Sequence, residues 1–208
     1  MRASFLLKQG EVEVREIATP ELDADEVLIK VAAVGVCGSD THYYQHGKIG
    51  PYVVEKPMIL GHEASGTIVA VGSGVDEGRI GRRVSIEPQR PCRDCKQCNE
   101  GRYNLCPNME FYATPPVDGA FAEFVKIQSE FAFDIPDNVS FEAAALIEPL
   151  SVGIWAAKRA EIGSGSRVLI AGAGPIGIIM AQTAKALGAS EVIVTDISDD
   201  RRAFALQW

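Results

Sequence analysis

The chain has no basic run and no basic stripe. Its 20 Lys and Arg are outnumbered by 28 Asp and Glu, for a net charge of −8 and a pI near 5.0. That balance argues against nucleic acid or an anionic membrane as the main partner and makes small molecules the default. Cysteine is scarce as well: five residues in 208 are too few for a disulfide scaffold. The N-terminus offers only four apolar residues, Ser4 aside, between Arg2 and Lys8, which does not read as a signal peptide. Repeats and low-complexity segments are missing, which excludes collagen-like and fibrous classes, while 47% hydrophobic residues exclude disorder. The one long uncharged run, Val168 to Ala184, stops short of the roughly 20 residues a membrane helix needs. Glycines and a proline break its first third, so it reads as a buried strand, a tight turn and a buried helix. A soluble protein of a reducing cytoplasm is expected, with one large or two small domains.

What is present changes character along the chain. Residues 1 to 36 are strand-like, from the alternation Glu11-Val12-Glu13-Val14 to the run Val27–Val31. Further strands are expected at Gly66–Gly72, Arg83–Ile86 and Phe121–Ile127, with residues 87 to 119 as loop, since they hold five prolines and four of the cysteines. Glu142 to Lys158 is Ala-rich and helical, with Pro149 as a kink or break. From Arg167 the pattern is strand, glycine turn, helix (Ile176 to Leu187, capped by Gly188), strand (Glu191 to Asp196) and the start of a helix, a βαβ unit. The shift predicts a domain boundary near Ser151.

Three groups of residues carry chemistry. Cys92-x-x-Cys95-x-x-Cys98-x7-Cys106 has the spacing of a tetrahedral zinc site, in which four thiolates leave no open position, so the ion is expected to be structural. A redox dithiol or chance clustering are the alternatives. Gly172-Ala173-Gly174-Pro175-Ile176-Gly177 follows a predicted strand and opens a helix, with Asp196 19 residues after Gly177 at the end of the next strand. In a dinucleotide site Gly172 permits the turn, Gly174 admits the pyrophosphate and Gly177 lets helix and strand pack. Asp196 would accept from the ribose hydroxyls, favouring NAD over NADP, tempered by Arg201 and Arg202 nearby; a plain βαβ turn is the alternative. The third group is scattered: Cys37, His62 and Glu63, and Glu148. Singly each reads as a small buried thiol, a satisfied histidine or a helix-closing acid. Together with a nucleotide fold they suggest a catalytic zinc with an open ligand position.

At this point Gly35-Val36-Cys37-Gly38-Ser39-Asp40-x-His42-Tyr43, Gly61–Gly66, the four-cysteine lobe, Ala113–Gly119, Ile147–Gly153 and the glycine motif together resemble the zinc-dependent medium-chain dehydrogenases, and within them the polyol (sorbitol and xylitol) branch. The similarity runs over nearly the whole chain. It implies a GroES-like β-barrel catalytic domain (1–151, lacking its C-terminal return segment) followed by the beginning of an α/β Rossmann domain (152–208). It also implies one catalytic and one structural Zn²⁺, NAD as co-substrate, a small polyol as substrate and a homotetramer when full length. Cys37 and His62 then become direct ligands of the catalytic ion, with Glu63 and Glu148 binding directly or through water. Glu at position 148 resembles the polyol enzymes more than the ethanol-oxidising ones. Ser39 resembles the family's proton-relay hydroxyl, His42 the surface end of that relay, and Asp40 a partner that orients a ligand. Tyr43 and Phe111, together with Glu148, resemble substrate-cleft residues; packing aromatics are the alternative for the two rings. Pro175 and Ile176 join the glycines and Arg201 in the nucleotide set.

The implied reaction oxidises a secondary alcohol of a sugar alcohol to a ketose, with zinc acidifying the hydroxyl, Ser39 passing the proton outward and hydride going to the nicotinamide. Related zinc enzymes acting on threonine or simple alcohols compete with this reading, as does a non-catalytic zinc-binding protein. The family's chains are longer, so 208 residues are expected to represent an N-terminal part that, alone, binds nucleotide poorly, turns over little and aggregates.

Overall fold

The computed structural model describes every residue from Met1 to Trp208. The chain opens with a hairpin of β1 (Arg2–Lys8) and β2 (Glu11–Glu16), continues into β3 (Glu26–Gly35), and then forms α1 (Gly38–His46). Short strands β4 (Lys48–Ile49), β5 (Tyr52–Val53) and β6 (Met58–Ile59) lead to the long β7 (Glu63–Val71). Next come β8 (Arg83–Ile86), β9 (Gln89–Arg90), the single-turn α2 (Lys96–Asn99), β10 (Glu110–Phe111), β11 (Phe124–Gln128), β12 (Ala132–Asp134) and α3 (Phe141–Ala145). These elements make up a first compact unit, Met1–Leu146.

The frame of that unit is an antiparallel five-stranded sheet in the order β11-β3-β7-β8-β12, beside a three-stranded sheet β2-β1-β6. Side chains alternate across a strand, so Val27 and Ile29 of β3, Val84 and Ile86 of β8, and Val125 and Ile127 of β11 point to one side. There they meet Ala64, Ile68, Ala120 and Phe131 in the main core. A second cluster joins Leu6, Tyr43, Met58, Leu60 and Ala113. Glu26 is almost fully enclosed, and its charge is met by Lys126 at 2.8 Å, by Arg90, and by the backbone N–H of Asp23 at 2.9 Å. A buried carboxylate without such partners would cost several kcal/mol.

The second unit, Ile147–Trp208, holds α4 (Ile147–Arg159), β13 (Arg167–Ala171), α5 (Pro175–Ala186), β14 (Glu191–Thr195) and α6 (Asp199–Ala205). β13 and β14 pair in parallel from Arg167↔Glu191 to Ala171↔Thr195, as the βαβ pattern requires. Leu169, Ile193, Ile197, Leu206 and Trp208 are exposed. No helix of the chain is long and apolar enough to cross a membrane.

The helix expected over Glu142–Lys158 is two helices, and the break falls at Leu146 rather than at Pro149. Proline is tolerated in a first helical turn, where the backbone N–H has no intrahelical acceptor, so Pro149 sits inside α4 without interrupting it. The break also separates packing partners: α3 lies on β3, β7 and β8, whereas α4 packs on α5. Helix α1 was not expected, because its polar sequence GSDTHYYQH lacks an apolar stripe. Capping produces it instead: Cys37 precedes it with its backbone N–H bonded to Asp40 Oδ2 at 2.9 Å, and Gly47 ends it in the left-handed region at φ 70°.

Candidate metal centres and nucleotide loop

The stretch between β9 and β10 forms a lobe around four thiols. All four cysteines are free, and their sulfurs lie within 4.8 Å of one another. The distances are 3.4 Å for Cys95–Cys98, 3.4 Å for Cys92–Cys106 and 3.9 Å for Cys95–Cys106. Four sulfurs at about 2.3 Å from a tetrahedral zinc stand about 3.8 Å apart, so the spacing fits an ion and is far too long for disulfide bonds. The lobe is fastened to the sheet by Tyr103, whose hydroxyl donates to Glu87 at 3.4 Å and whose ring meets Phe131 at 5.7 Å. Arg93 adds an ion pair to Glu130 and a cation–π contact over Phe131. Desolvation, with the neighbouring thiols, pushes Cys98 up to about 12.

A second donor group forms where β3 ends and β7 begins. Gly35 of β3 pairs with Glu63 of β7, so the residues just beyond each strand, Cys37 and His62, arrive side by side. The thiol, an imidazole nitrogen and a carboxylate oxygen of Cys37, His62 and Glu63 all fall within 4.8 Å. Thiolate, imidazole and carboxylate are a zinc donor set, and three of them leave a fourth position open. Burial pushes the Cys37 thiol up; hydrogen bonds from the Ser39 hydroxyl and backbone pull it back, and the charges of Glu63 and Asp40 raise it again. Asp40 ties the two ligand loops together. Buried on α1, it accepts from the Cys37 N–H through Oδ2 and from the Gly61 N–H through Oδ1, each at 2.9 Å. Phe111 of β10 closes one side, its ring 5.6 Å from that of His62. Gly35 leaves room for the Glu63 carboxylate: a Cβ there would stand 2.0 Å from Glu63 Oε2 and would displace it.

In the second unit the glycine loop joins β13 to α5. Gly172 has φ 108°, a value closed to most side chains, and its N–H bonds to the Thr195 carbonyl at 2.7 Å. Gly174 is the N-cap of α5 and Pro175 its first residue. A Cβ on Gly177 would fall 1.8 Å from the Gly172 carbonyl oxygen, so only glycine lets the helix close on the loop. Asp196 carries a second duty beyond the one expected of it. Its Oδ2 accepts from the Ala173 N–H and its Oδ1 from the Ser198 N–H, each at 2.8 Å. Those two amides, helped by Arg201 at 3.8 Å and by Arg202, hold its carboxyl below the usual range.

The alcohol dehydrogenase GroES-like domain family matches residues 23–137, more than half of the chain. The chain belongs to that family. It is 54% identical over 95% of its length to a sorbitol dehydrogenase of Bacillus subtilis strain 168, of which it covers 56%. Among solved structures, galactitol-1-phosphate dehydrogenase of Escherichia coli superposes with a TM-score of 0.91 at 38% identity, over 100% of this chain and 59% of the other. A short chain alcohol dehydrogenase of E. coli CFT073, in complex with NADH, gives 0.92 at 32% identity over 100% and 60%. The chain thus spans about half the length of the curated relatives it matches.

In this GroES-like frame most of the residues singled out from sequence meet. Cys37, His62, Glu63, Asp40 and Phe111 converge, and Ser39 touches the Cys37 sulfur. Tyr43 is instead enclosed in the second core cluster at 3% exposure, packed with Leu6, Met58 and Leu60, so its ring fills the interior rather than lining a cleft. An aromatic on the inner face of a short polar helix is what anchors that helix. His42 is exposed on the outer side of α1. Glu148 belongs to the second unit, as the second residue of α4, and its carbonyl accepts from Ser151 Oγ at 2.6 Å. The sequence reasoning missed Gly35 and Gly61. Their signal was a glycine directly before or opposite a ligand, where backbone must approach closely.

Proposed function

We propose that this chain is the metal-binding half of a zinc- and NAD-dependent polyol dehydrogenase that oxidises sorbitol, xylitol or a similar sugar alcohol to a ketose. The observation that carries the reading is the Cys37, His62 and Glu63 donor group in a chain that has a GroES-like domain and is 54% identical over 95% of its length to a sorbitol dehydrogenase. When bound, zinc supplies the Lewis acidity that makes an alcohol proton removable near neutral pH, and NAD supplies the hydride acceptor.

The chain's own groups do the rest. Cys37, His62 and Glu63 would hold the ion, and Asp40 keeps the Cys37 and Gly61 backbones in register. The Ser39 hydroxyl, already beside the Cys37 sulfur, takes the proton of the substrate hydroxyl and passes it outward to His42 on the exposed side of α1. Phe111 walls the site and excludes water beside His62. The four-cysteine lobe would hold a second, structural zinc. The loop from Gly172 to Gly177 receives the pyrophosphate at the N-terminus of α5, where unpaired N–H groups and the helix dipole favour an anion. Ile176, exposed in the first turn of α5, belongs to that lining. Asp196 braces the loop and, with NAD bound, would accept from its ribose hydroxyls, with Arg201 beside it. A homotetramer in a reducing cytoplasm is part of the same proposal, and five free thiols suit that compartment.

The test is NAD⁺ reduction by the whole protein over a panel of sorbitol, xylitol, threonine and primary alcohols. The reading expects the highest kcat/KM with the polyols and loss of turnover in Cys37→Ser and His62→Ala. Preference for threonine or ethanol, or full turnover in either variant, overturns it.

A further inference from the structure

The chain has three histidines, and only His62 belongs to the donor group of the barrel. The other two, His42 and His46, stand four residues apart on the exposed side of α1. One helical turn brings such a pair to the same face. Their rings meet with centroids 4.4 Å apart and planes tilted by 54°. No hydrogen bond or ion pair within the chain engages either ring. Two imidazoles side by side on a helix make a bidentate donor pair, histidine nitrogen binding such ions at about 2.0–2.1 Å. We propose that His42 and His46 form a surface chelate for one divalent transition ion of the zinc, nickel or copper class, separate from both metal centres described above; His42 is shared with the proposed proton relay, so the test reads metal uptake and not turnover.

The helix around the pair is held in place. Tyr43, between the two histidines, is buried in the second core cluster. The final carbonyls of α1 are occupied: the Gly47 N–H reaches the Tyr43 carbonyl at 2.8 Å, the Gly10 N–H reaches Tyr44 at 2.7 Å, and the Gln9 amide reaches Gln45. The last turn therefore does not have to be ordered by the ion, which lowers the cost of binding. It is also the negative end of the helix dipole, where a dication is favoured. Imidazole suits zinc, nickel and copper more than magnesium or calcium, and water completes the open coordination positions.

The experiment is calorimetric titration of Ni²⁺ into the untagged, zinc-replete protein and into His42→Asn and His46→Asn, with circular dichroism to verify an unchanged fold. Binding through two tethered ligands exceeds binding through one by about a hundredfold or more, so each variant should lose about that factor in affinity for one Ni²⁺ per chain. Wild-type protein that takes up no nickel overturns the proposal. So does either variant that binds it as the wild type does.

Discussion

Asp40→Asn tests the architecture of the barrel donor group with one atom changed. The carboxylate now serves two backbone N–H groups, of Cys37 and Gly61, from a position 3% exposed. Asparagine keeps one carbonyl acceptor and turns an NH₂ toward the other N–H, so one buried donor loses its partner whichever way the amide is oriented. An orphaned buried donor costs about 1–3 kcal/mol, and the surviving bond loses its charge assistance, for a total of roughly 2–4 kcal/mol. In a unit of this size that corresponds to a drop in Tm of about 5–15 °C. Each of the two N–H groups lies on a loop that carries Cys37 or His62, so whichever is orphaned, metal affinity should fall as well, by about 10–100-fold, the usual effect of removing a residue that orients ligands. Chelator competition on zinc-loaded protein reads the affinity, and differential scanning calorimetry reads the stability. The four-cysteine lobe provides an internal control, because its sulfurs do not depend on Asp40 and its ion should stay. A competition curve identical to wild type, at unchanged Tm, would refute the view that Asp40 ties the ligand loops together.

Other substitutions and conditions probe neighbouring steps. Gly35→Ala should expel the Glu63 carboxylate, since its Cβ would lie 2.0 Å from Oε2, and zinc affinity at the barrel site should fall, whereas Gly38→Ala, with open space around it at the start of α1, should be neutral or up to about 1 kcal/mol stabilising; equal effects in chemical denaturation and zinc binding would sink the comparison. Burial raises the Cys37 and Cys98 thiols in the metal-free protein, the latter to about 12. A raised folded-state pKa contributes stability that is complete below the ordinary thiol value near 9 and is lost as pH climbs toward about 12. EDTA-treated protein should therefore melt at progressively lower temperature above pH 9, while zinc uptake near neutrality should release protons and strengthen as pH rises; a flat melting profile to pH 10.5 is the contrary result. The lowered Asp196 carboxyl has the opposite sign: its support of the glycine loop is present above its ordinary pKa of 3.8 and fades as pH falls below that, so the protection of the Ala173 amide, relative to its intrinsic exchange rate, should drop in acid and in Asp196→Ala at neutral pH. Protection unchanged in that variant would remove Asp196 from the loop's support.

Much of the site could be read in advance because its chemistry is local. Cys92, Cys95, Cys98 and Cys106 lie within fifteen residues, and a tight loop with those gaps has few ways to avoid bringing four sulfurs together. The glycine motif is equally local: strand, turn and helix follow one another, and the φ of 108° at Gly172 and the 1.8 Å approach at Gly177 are demands that only glycine meets. The GroES-like frame came through resemblance, since its alternating strands alone are compatible with many sheets. Helix α1 escaped notice because caps, not an apolar stripe, create it.

Linear order thus carried the thiol lobe and the glycine loop, whose partners are neighbours in the chain. Folding in three dimensions was needed for everything that depends on one strand lying against another. Cys37 and His62 are 25 residues apart, and they meet because β3 and β7 pair with Gly35 opposite Glu63. The same pairing sets Asp40 under the Gly61 amide, sends Tyr43 inward to the core, and leaves the His42 and His46 rings side by side in solvent. A residue's type states which bonds it is able to make, but the register of a distant strand chooses the partner.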